Sequence, residues 1–410
     1  PPLVIVGPPG VGKSTLLRAV AAAVRAQDRP VAARLPDAGP GARPVVVVDD
    51  ADRADPDTLA ALGSAPGADP AAAPRVLLAA TTLTPDLEDL VPDVLPLNGL
   101  SATAVNRLAA ERGRPAHPEV VDRLVRHTAG NPRDVLELLD QLPPADWTRS
   151  TLTLPAPDRV LRRVREALHD CPPPARRLIE ALAVLDDTEP FGTATLLAGL
   201  DDPLAALDAA HATGLVGGPA TLVPAQARSR LADPMVRAAV LQVMGVAAVG
   251  ALHLRAAELA TDPVQRLRHR TAATPVPDRP LADELAAAAR RLSAEGAWAE
   301  AADLFAQAAR LTAEPLDHDR RLTQALDARL ADGDCRSAGA LVPGVESLRE
   351  TARRDVALAY LAILRGRSTE ARVRLDRAWN IVNNHRESEV GATIAQRFVL
   401  HHLIRGQGRS

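Results

Sequence analysis

Lysine is almost absent from this sequence of 410 residues. Lysine and arginine together number 48, and Lys13 is the only lysine among them. Arginine therefore supplies nearly all of the positive charge, and the single lysine marks a place where a compact ammonium group fits and a planar guanidinium group does not. Position 13 is the first candidate for a functional residue.

Other residue types are scarce as well. Aromatic residues make up 2% of the sequence, so the cores must consist of alanine, leucine and valine, a composition that favours helix. Cys171 and Cys335 are too few for a disulfide framework or a zinc site, which predicts a protein of the reducing cytoplasm. A formal net charge of −3 argues against nucleic-acid binding by the bulk charge of this chain.

Long hydrophobic segments are missing too. The longest apolar stretch, residues 238–252, contains Gln242 and is shorter than the ~20 residues that cross a bilayer, so we predict no membrane partner. The chain length predicts two to four domains. Because a predicted core strand follows Pro1 directly, and because a helical repeat is interrupted at Ser410, we expect the natural protein to extend at both ends.

Lys13 lies within Gly7-Pro8-Pro9-Gly10-Val11-Gly12-Lys13-Ser14-Thr15, between an apolar run at 3–6 and a helical pattern that begins at Leu16. Strand, glycine-rich loop and helix, with G-x-x-x-x-G-K-S in the loop, predict a phosphate-binding P-loop. The N–H groups of residues 7–15 and the helix N-terminus would surround the phosphates of ATP or ADP. Lys13 would reach the β- and γ-phosphates, and Ser14 would bind Mg²⁺.

A second strand pattern ends in acidic residues. Val45-Val46-Val47-Val48 is typical of a buried parallel strand, and Asp49 and Asp50 follow it at the carboxyl end, where open α/β sheets bind ligands. We predict that Asp49 holds Mg²⁺ through water and that Asp50 lies where many ATPases carry a water-activating glutamate. Asp50 is one methylene shorter, which predicts weak or slow hydrolysis. Alternatively, both acids only open the next loop.

The next apolar run, residues 75–80, ends at Thr81. The hydroxyl of Thr81 would sense the γ-phosphate, or it would only satisfy the end of a strand.

Helical patterns resume at Ser101, and a second helix leads into Gly130-Asn131-Pro132-Arg133. Gly130 ends one helix and Pro132 begins the next. We interpret this segment as a helical lid over the nucleotide, in which Gly130 belongs to the nucleotide-binding site, Pro132 packs on the adenine and Arg133 reaches the γ-phosphate. The alternative is a plain connector between helices.

Two motifs carry a family resemblance. Residues 49–56 (DDADRADP) resemble the "DDAHWADP" signature of the large ATP-binding LuxR-family regulators, which are STAND-class signalling ATPases of bacteria, and residues 128–139 resemble their "GGNPLFLLELL". The resemblance implies self-association with ATP and transcription activation through a C-terminal DNA-binding domain outside these residues. Asp52-Arg53 replaces the His-Trp pair, and Leu83 stands where the family usually has an arginine. Arg133 resembles the sensor arginine of initiator-type AAA+ proteins, which keeps that class open.

Beyond a proline-rich boundary near residue 155, the helical spacing of Val164 and Leu168, the glycines at 214 and 217–218, and the apolar pair Leu222-Val223 predict a winged-helix domain. Residues 231–240 and 252–259 are similar to a further segment of the same regulators. His253 is predicted to be a core or interface histidine rather than a catalyst.

Short repeated segments begin near residue 281. Gly296, Gly333 and Gly366 recur at close to the roughly 34-residue period of tetratricopeptide repeats. The alanine five residues after each glycine, at positions 301, 338 and 371, is predicted to let two helices pack. The aromatic residues of this region are predicted to fill its core: Trp298, Phe305, Tyr360 and Trp379.

The predicted architecture is an α/β P-loop NTPase of AAA+/STAND type with a helical lid, then a winged-helix domain and all-α tetratricopeptide-like repeats. The predicted boundaries are 1–98, 99–152, 153–235, a helical linker at 236–280, and 281–410 for the repeats. The predicted function is a regulatory switch that binds ATP or ADP with Mg²⁺, forms a homo-oligomer with ATP and receives a small-molecule or protein inducer on its repeats. The alternatives are an AAA+ motor or loader and a repeat scaffold that holds ADP.

Overall fold

A computed structural model describes residues 2–32, 45–63, 75–90, 93–148, 152–185, 189–217, 230–383 and 385–406. The chain divides into two compact units, one of residues 1–116 and 120–158 and one of residues 117–119 and 159–410. The finer division into five predicted domains stays a prediction.

The chain up to residue 158 combines one sheet with helices. Its elements are β1 (Leu3–Val6), α1 (Lys13–Arg25), β2 (Val31–Ala32), β3 (Val45–Val48), α2 (Pro56–Gly63), β4 (Arg75–Ala80), α3 (Pro85–Leu90), β5 (Asp93–Pro96), α4 (Ala102–Glu111), α5 (Pro118–Thr128) and α6 (Pro132–Gln141). The five strands form a parallel sheet in the order β2-β3-β4-β1-β5.

β1 lies inside this sheet. Its Val4 is fully buried and pairs with Leu78 of β4 on one side and with Val94 of β5 on the other. Because all five strands are parallel, their carboxyl ends share one edge, and the loops after β1, β3 and β4 start there. This edge receives Gly7, Asp49 and Thr81.

Two of the predicted strands are confirmed at 45–48 and 75–80. β2 spans two residues, and its Val31 and Ala32 pair with Val45 and Val46 of β3. β5 was not predicted. All four of its residues are exposed and one is Pro96, which an edge strand tolerates because it pairs on one side only.

From residue 158 onwards, the regular elements of the described residues are helices and one short pair of strands. The first of these elements are α7 (Asp158–Asp170), α8 (Pro173–Val184), α9 (Phe191–Ala198), α10 (Pro203–Ala212), β6 (Val216–Gly217), β7 (Arg230–Leu231), α11 (Pro234–Met244), α12 (Val246–Leu259) and α13 (Pro263–Ala273). β6 and β7 pair antiparallel. Gly218 and the pair Leu222-Val223 lie outside the described residues, and the winged helix stays a prediction.

Seven helices complete the chain: α14 (Arg279–Ala294), α15 (Trp298–Arg310), α16 (Pro315–Ala331), α17 (Cys335–Glu346), α18 (Ala352–Leu364), α19 (Ser368–Ile381) and α20 (Ser388–Ile404). They form a tetratricopeptide-like array in which successive helices pack on each other. The predicted turn glycines, Gly296, Gly333 and Gly366, follow α14, α16 and α18 with φ of +82°, +81° and +71°. These left-handed conformations end each helix with little strain only in glycine.

Alanines at the predicted contact positions 301, 338 and 371 are fully buried. Phe305 is buried as predicted, and Trp298 and Tyr360 pack against the cores of the array. The prediction for Trp379 is wrong, because this side chain is 47% exposed and meets the edge of the Phe398 ring. Ala371, Leu375 and Ala378 already form the buried stripe of α19, and Trp379 lies one residue beyond it.

Membrane spans were sought in the described residues. No single helix there is both long and apolar enough to cross a bilayer. α11 and α12 meet that requirement only together, across a bend of 108°.

Candidate functional site

The loop between β1 and α1 folds around the side chain of Lys13. Lys13 is 7% exposed, and its Nζ donates to the carbonyl oxygens of Gly7 (2.7 Å) and Pro8 (3.2 Å) and to Oγ1 of Thr81 (3.3 Å). An ammonium group has three donors, so each of them has an acceptor. Among the described residues, no carboxylate forms an ion pair with Lys13. The positive charge is therefore hydrogen-bonded but not neutralised, which suits an anion.

Glycines permit the course of this loop. Gly10 and Gly12 have φ of +85° and +108°, a region in which a side chain is strained. A Cβ at Gly7 would lie 2.6 Å from the carbonyl oxygen of Leu97, just after β5. The loop is thereby held against the sheet, and its backbone can approach a ligand closely.

Thr81 joins the loop to the segment after β3. Its hydroxyl accepts the hydrogen bond from Lys13, and its N–H donates to Oδ1 of Asp52 at 3.2 Å. Thr81, just after β4, thus contacts both the ammonium group of Lys13, at the start of α1, and the carboxylate of Asp52, after β3.

Asp49 and Asp50 follow β3 at a sharp turn of the chain. Asp50 has φ +50° and ψ +43°, a left-handed conformation that aspartate tolerates better than most residues. Its N–H donates to Oδ1 of Asp49 at 3.1 Å, and both residues are exposed. The sharp turn at Asp50 directs the chain back towards the glycine loop.

These segments enclose a cavity of about 540 Å³. It is lined by Pro9, Gly10, Gly12, Lys13, Ser14, Thr15, Asp50, Asp52, Arg53, Thr81 and Thr82. The cavity is thus faced by basic and acidic side chains. Ser14 and Thr15, at the N-terminus of α1, face it as well. Such a site can hold a phosphate chain and a hard cation together.

The first residues of α6 contact the glycine loop. Asn131 caps this helix, because its Oδ1 accepts from the N–H of Arg133 at 3.1 Å, and its Nδ2 donates to the carbonyl oxygen of Pro9 at 2.8 Å. A Cβ at Gly10 would lie 2.9 Å from Cβ of Arg133. The side chain of Arg133 therefore runs beside the loop.

Gly130, just before α6, makes a close backbone contact with Leu100. It has φ +67°, its carbonyl oxygen accepts from the N–H of Leu100 at 2.7 Å, and a Cβ on it would lie 2.4 Å from the carbonyl oxygen of Leu100. Gly130 thus holds the start of α6 to the chain after β5. Pro132 is the first residue of α6 and is half-buried.

The structure brings most of the predicted site residues together. Of these, Pro9, Gly10, Gly12, Lys13, Ser14, Thr15, Asp50 and Thr81 line the cavity, and Gly7, Pro8 and Val11 complete the loop. Four others are placed beside the cavity without lining it in the described part of the chain: Asp49, Gly130, Pro132 and Arg133. Their roles towards a nucleotide stay predictions.

Sequence reasoning assigned no role to Asp52, Arg53 and Asn131. The signal for Asn131 was present, since an asparagine directly before a helical proline is a common N-cap. Asp52 and Arg53 were noted only as departures from a motif, and their place in the cavity depends on the turn at Asp50.

His253 is distant in sequence from this loop and has a histidine partner. Nδ1 of His253 lies 3.0 Å from Nδ1 of His269, and burial together with the charge of His269 lowers the pKa of His253 to about 4. His253 is half-buried and lies on α12, whereas His269 is buried on α13. The pair joins two helices, in agreement with the prediction of a core or interface histidine.

Comparisons with known proteins identify no family for this chain. No family model matches it, and no curated protein matches it. Among solved structures, a Signal Transduction ATPase with Numerous Domains (STAND) protein with a tetratricopeptide repeat sensor, from Pyrococcus horikoshii, aligns with 99% of this chain and 75% of its own chain. The sequence identity is 14% and the TM-score is 0.25, which is too low for the alignment to carry an inference.

Proposed function

We propose that this chain binds ATP or ADP with the phosphates at the loop of residues 7–14, and that it acts as a nucleotide-controlled signalling switch. The observation that carries the proposal is the buried ammonium group of Lys13, which has three oxygen acceptors in its own chain and no carboxylate partner among the described residues. A polyphosphate would supply the missing negative charge. Gly10 and Gly12 leave the backbone of the loop free to approach it.

Mg²⁺ would accompany the nucleotide. The oxygen donors near Lys13 are the hydroxyl of Ser14 and the carboxylates of Asp49, Asp50 and Asp52, which are the hard ligands that Mg²⁺ prefers. Ser14 and Asp49 are our proposed ligands. A bound Mg²⁺ would neutralise phosphate charge, and Asp50 would orient water poorly because its side chain is short, so we expect slow hydrolysis.

The switch itself follows from differential binding. ATP and ADP can shift the chain between two arrangements only if they contact those arrangements differently. Asn131 and Arg133 lie beside the loop and would contact the γ-phosphate end of ATP. We further propose that the helical array receives an inducer and that DNA is bound by a domain outside this chain, as in the LuxR-family regulators.

Arg133 also favours a second candidate, an AAA+ motor of the initiator type, because its side chain lies against Gly10. The two candidates differ in turnover. Single-turnover hydrolysis at roughly 1–100 s⁻¹, the range of efficient phosphoryl transfer, would indicate a motor, and much slower hydrolysis would indicate a switch.

Calorimetric titration with ATP and ADP in the presence of Mg²⁺ tests the proposal. We expect Lys13→Ala and Lys13→Arg to weaken binding at least tenfold, about 1.4 kcal/mol, because the first removes the ammonium group and the second replaces it with a larger planar group. Arg25→Ala is the matched control: Arg25 is exposed in the last turn of the same helix and should not affect affinity.

Melting temperatures would show that the variants fold. If the wild-type chain binds neither nucleotide, or if a folded Lys13→Ala variant binds as tightly as the wild type, the proposal is wrong.

A further inference from the structure

A second cavity, of about 350 Å³, lies within the helical array. α14, α16, α18 and α20, the first helices of the successive pairs, all contribute to it, together with α15. The side chains of Trp298 and Phe305 on α15 form an apolar wall. This cavity is separate in sequence from the glycine loop, and nothing in the nucleotide proposal uses it.

Three arginines face this cavity from three helices: Arg290 on α14, Arg353 on α18 and Arg397 on α20. Within the described part of the chain, none of the three guanidinium groups donates a hydrogen bond or forms an ion pair. Arg397 lies over the ring of Tyr360, with its guanidinium carbon 3.4 Å from the ring centroid, which orients the group without using its N–H donors.

The two arginines that are buried in the described part of the array are paired. Arg321 is 2% exposed and is bonded to Asp283 and Thr312. Arg354 donates to Oδ1 of Asp355 at 3.1 Å and to the carbonyl oxygen of Leu348 at 2.7 Å. These two buried arginines thus have acceptors within the array, whereas those of the cavity keep up to five N–H donors each for another molecule.

The acidic groups of the cavity do not neutralise these arginines. Asp327 lies at the floor on α16 and Glu389 is exposed on α20. Burial raises the pKa of Asp327 to about 7, although the charges of Arg353 and Arg397 oppose the rise. Near neutral pH, therefore, three guanidinium groups face fewer than two full negative charges.

Two polar side chains of α16 at the floor of the cavity are also available to a ligand. The carboxyl group of Asp327 makes no hydrogen bond or ion pair with another described residue, and Oε1 of Gln324, one turn earlier on α16, is buried without a hydrogen-bond partner there. A buried oxygen without a donor is unfavourable, so a ligand that also donates a hydrogen bond to it would gain affinity.

We propose that this cavity binds a small organic anion, a carboxylate or phosphate attached to an apolar planar body. The guanidinium groups of Arg353 and Arg397 would hold the anionic group, since arginine donates two parallel hydrogen bonds to such oxygens. Trp298 and Phe305 would pack on the planar body. The volume is at the small end of the roughly 300–1,000 Å³ of ligand cavities. The inference deepens the proposed switch by naming the chemistry of its inducer, and it is testable without nucleotide.

Calorimetry with benzoate, phenyl phosphate and the neutral benzyl alcohol tests the chemistry. We expect both anions to bind saturably and benzyl alcohol to bind at least tenfold more weakly. Arg353→Met and Arg397→Met should each weaken benzoate binding at least tenfold. Arg367→Met is the control, because Arg367 is exposed, pairs with Glu370 at 3.5 Å and lies outside the cavity.

The charge of Asp327 adds a pH dependence that a merely structural arginine cluster would not show. Benzoate stays ionised between about pH 6 and pH 8, whereas Asp327, which Arg290, Arg353, Glu389 and Arg397 face across the cavity, loses its proton there. Affinity for benzoate should therefore fall as the pH rises. Asp327→Asn should bind benzoate more tightly than the wild type at about pH 8 and lose most of the pH dependence.

Three results would overturn the proposal: no saturable binding of either anion, equal affinity for benzoate and benzyl alcohol, or unchanged affinity in Arg353→Met and Arg397→Met variants with wild-type melting temperatures. Lys13→Ala should bind benzoate like the wild type. Loss of nucleotide binding and loss of anion binding are thereby distinguished.

Discussion

At the scale of single residues, Lys13 is notable for the kind of acceptors it has. Two are carbonyl oxygens of its own loop and one is the hydroxyl of Thr81. Carbonyl dipoles reduce the cost of burying a cation but leave its net charge in place. A phosphate that binds here can therefore interact with the positive charge of Lys13, although a few of the hydrogen bonds of that ammonium group must rearrange.

The pair His253 and His269 gives a prediction for stability against pH. The pKa of His253 is lowered to about 4, below the ordinary value of 6.5, so the fold holds this ring uncharged while the unfolded chain takes up a proton. Because the unfolded state binds more protons between about pH 6.5 and pH 4, the free energy of unfolding should fall as the solution is acidified through this range.

Urea unfolding at several pH values measures this effect. His253→Gln should show a weaker pH dependence than the wild type between about pH 6.5 and pH 4. An equally steep dependence in this variant would contradict the assignment to His253.

At the scale of elements, the start of α6 depends on one close backbone contact. The N–H of Leu100 donates to the carbonyl oxygen of Gly130, at a point where a Cβ on Gly130 would lie 2.4 Å from the carbonyl oxygen of Leu100. Asn131 then links the helix to Pro9 at 2.8 Å. Any change that displaces Gly130 should move both the N-cap of α6 and its contact with the glycine loop.

Gly130→Ala tests this contact, and Gly113→Ala is its matched control. Both glycines lie in the first unit and have φ of +67°, but Gly113 has open space around a Cβ. We expect Gly113→Ala to cost about 1 kcal/mol of stability, the price of a left-handed alanine, and Gly130→Ala to cost clearly more because backbone must shift as well. Denaturant unfolding measures both, and equal costs would show that the contact is readily relieved.

At the scale of the whole molecule, the proposed switch predicts a change in assembly. Light scattering should give a larger particle mass with ATP and Mg²⁺ than with ADP, because only differential contacts can shift the population. Lys13→Ala should keep the mass of the nucleotide-free chain with either nucleotide, and Arg25→Ala should behave like the wild type. A mass that never depends on nucleotide would favour the scaffold that holds ADP.

The sequence alone was sufficient for features whose residues are neighbours in the chain. The strand, glycine loop and helix around Lys13 are continuous, so their spacing contains most of the geometry of the site. The turn glycines of the array are likewise local, since each ends one helix by its own left-handed backbone. Trp379 was mispredicted because its exposure depends on which stripe of α19 faces the neighbouring helices.

Tertiary structure decided what depends on distant segments. The hydrogen bond from Thr81 to Asp52 forms because β3 and β4 are adjacent in the sheet. No local sequence pattern encodes this arrangement. The anion cavity likewise collects Arg290, Arg353 and Arg397 from helices far apart in sequence. Each of these arginines by itself resembles any exposed arginine of a helix. Only the stacking of the helices shows that they face one volume without acceptors of their own.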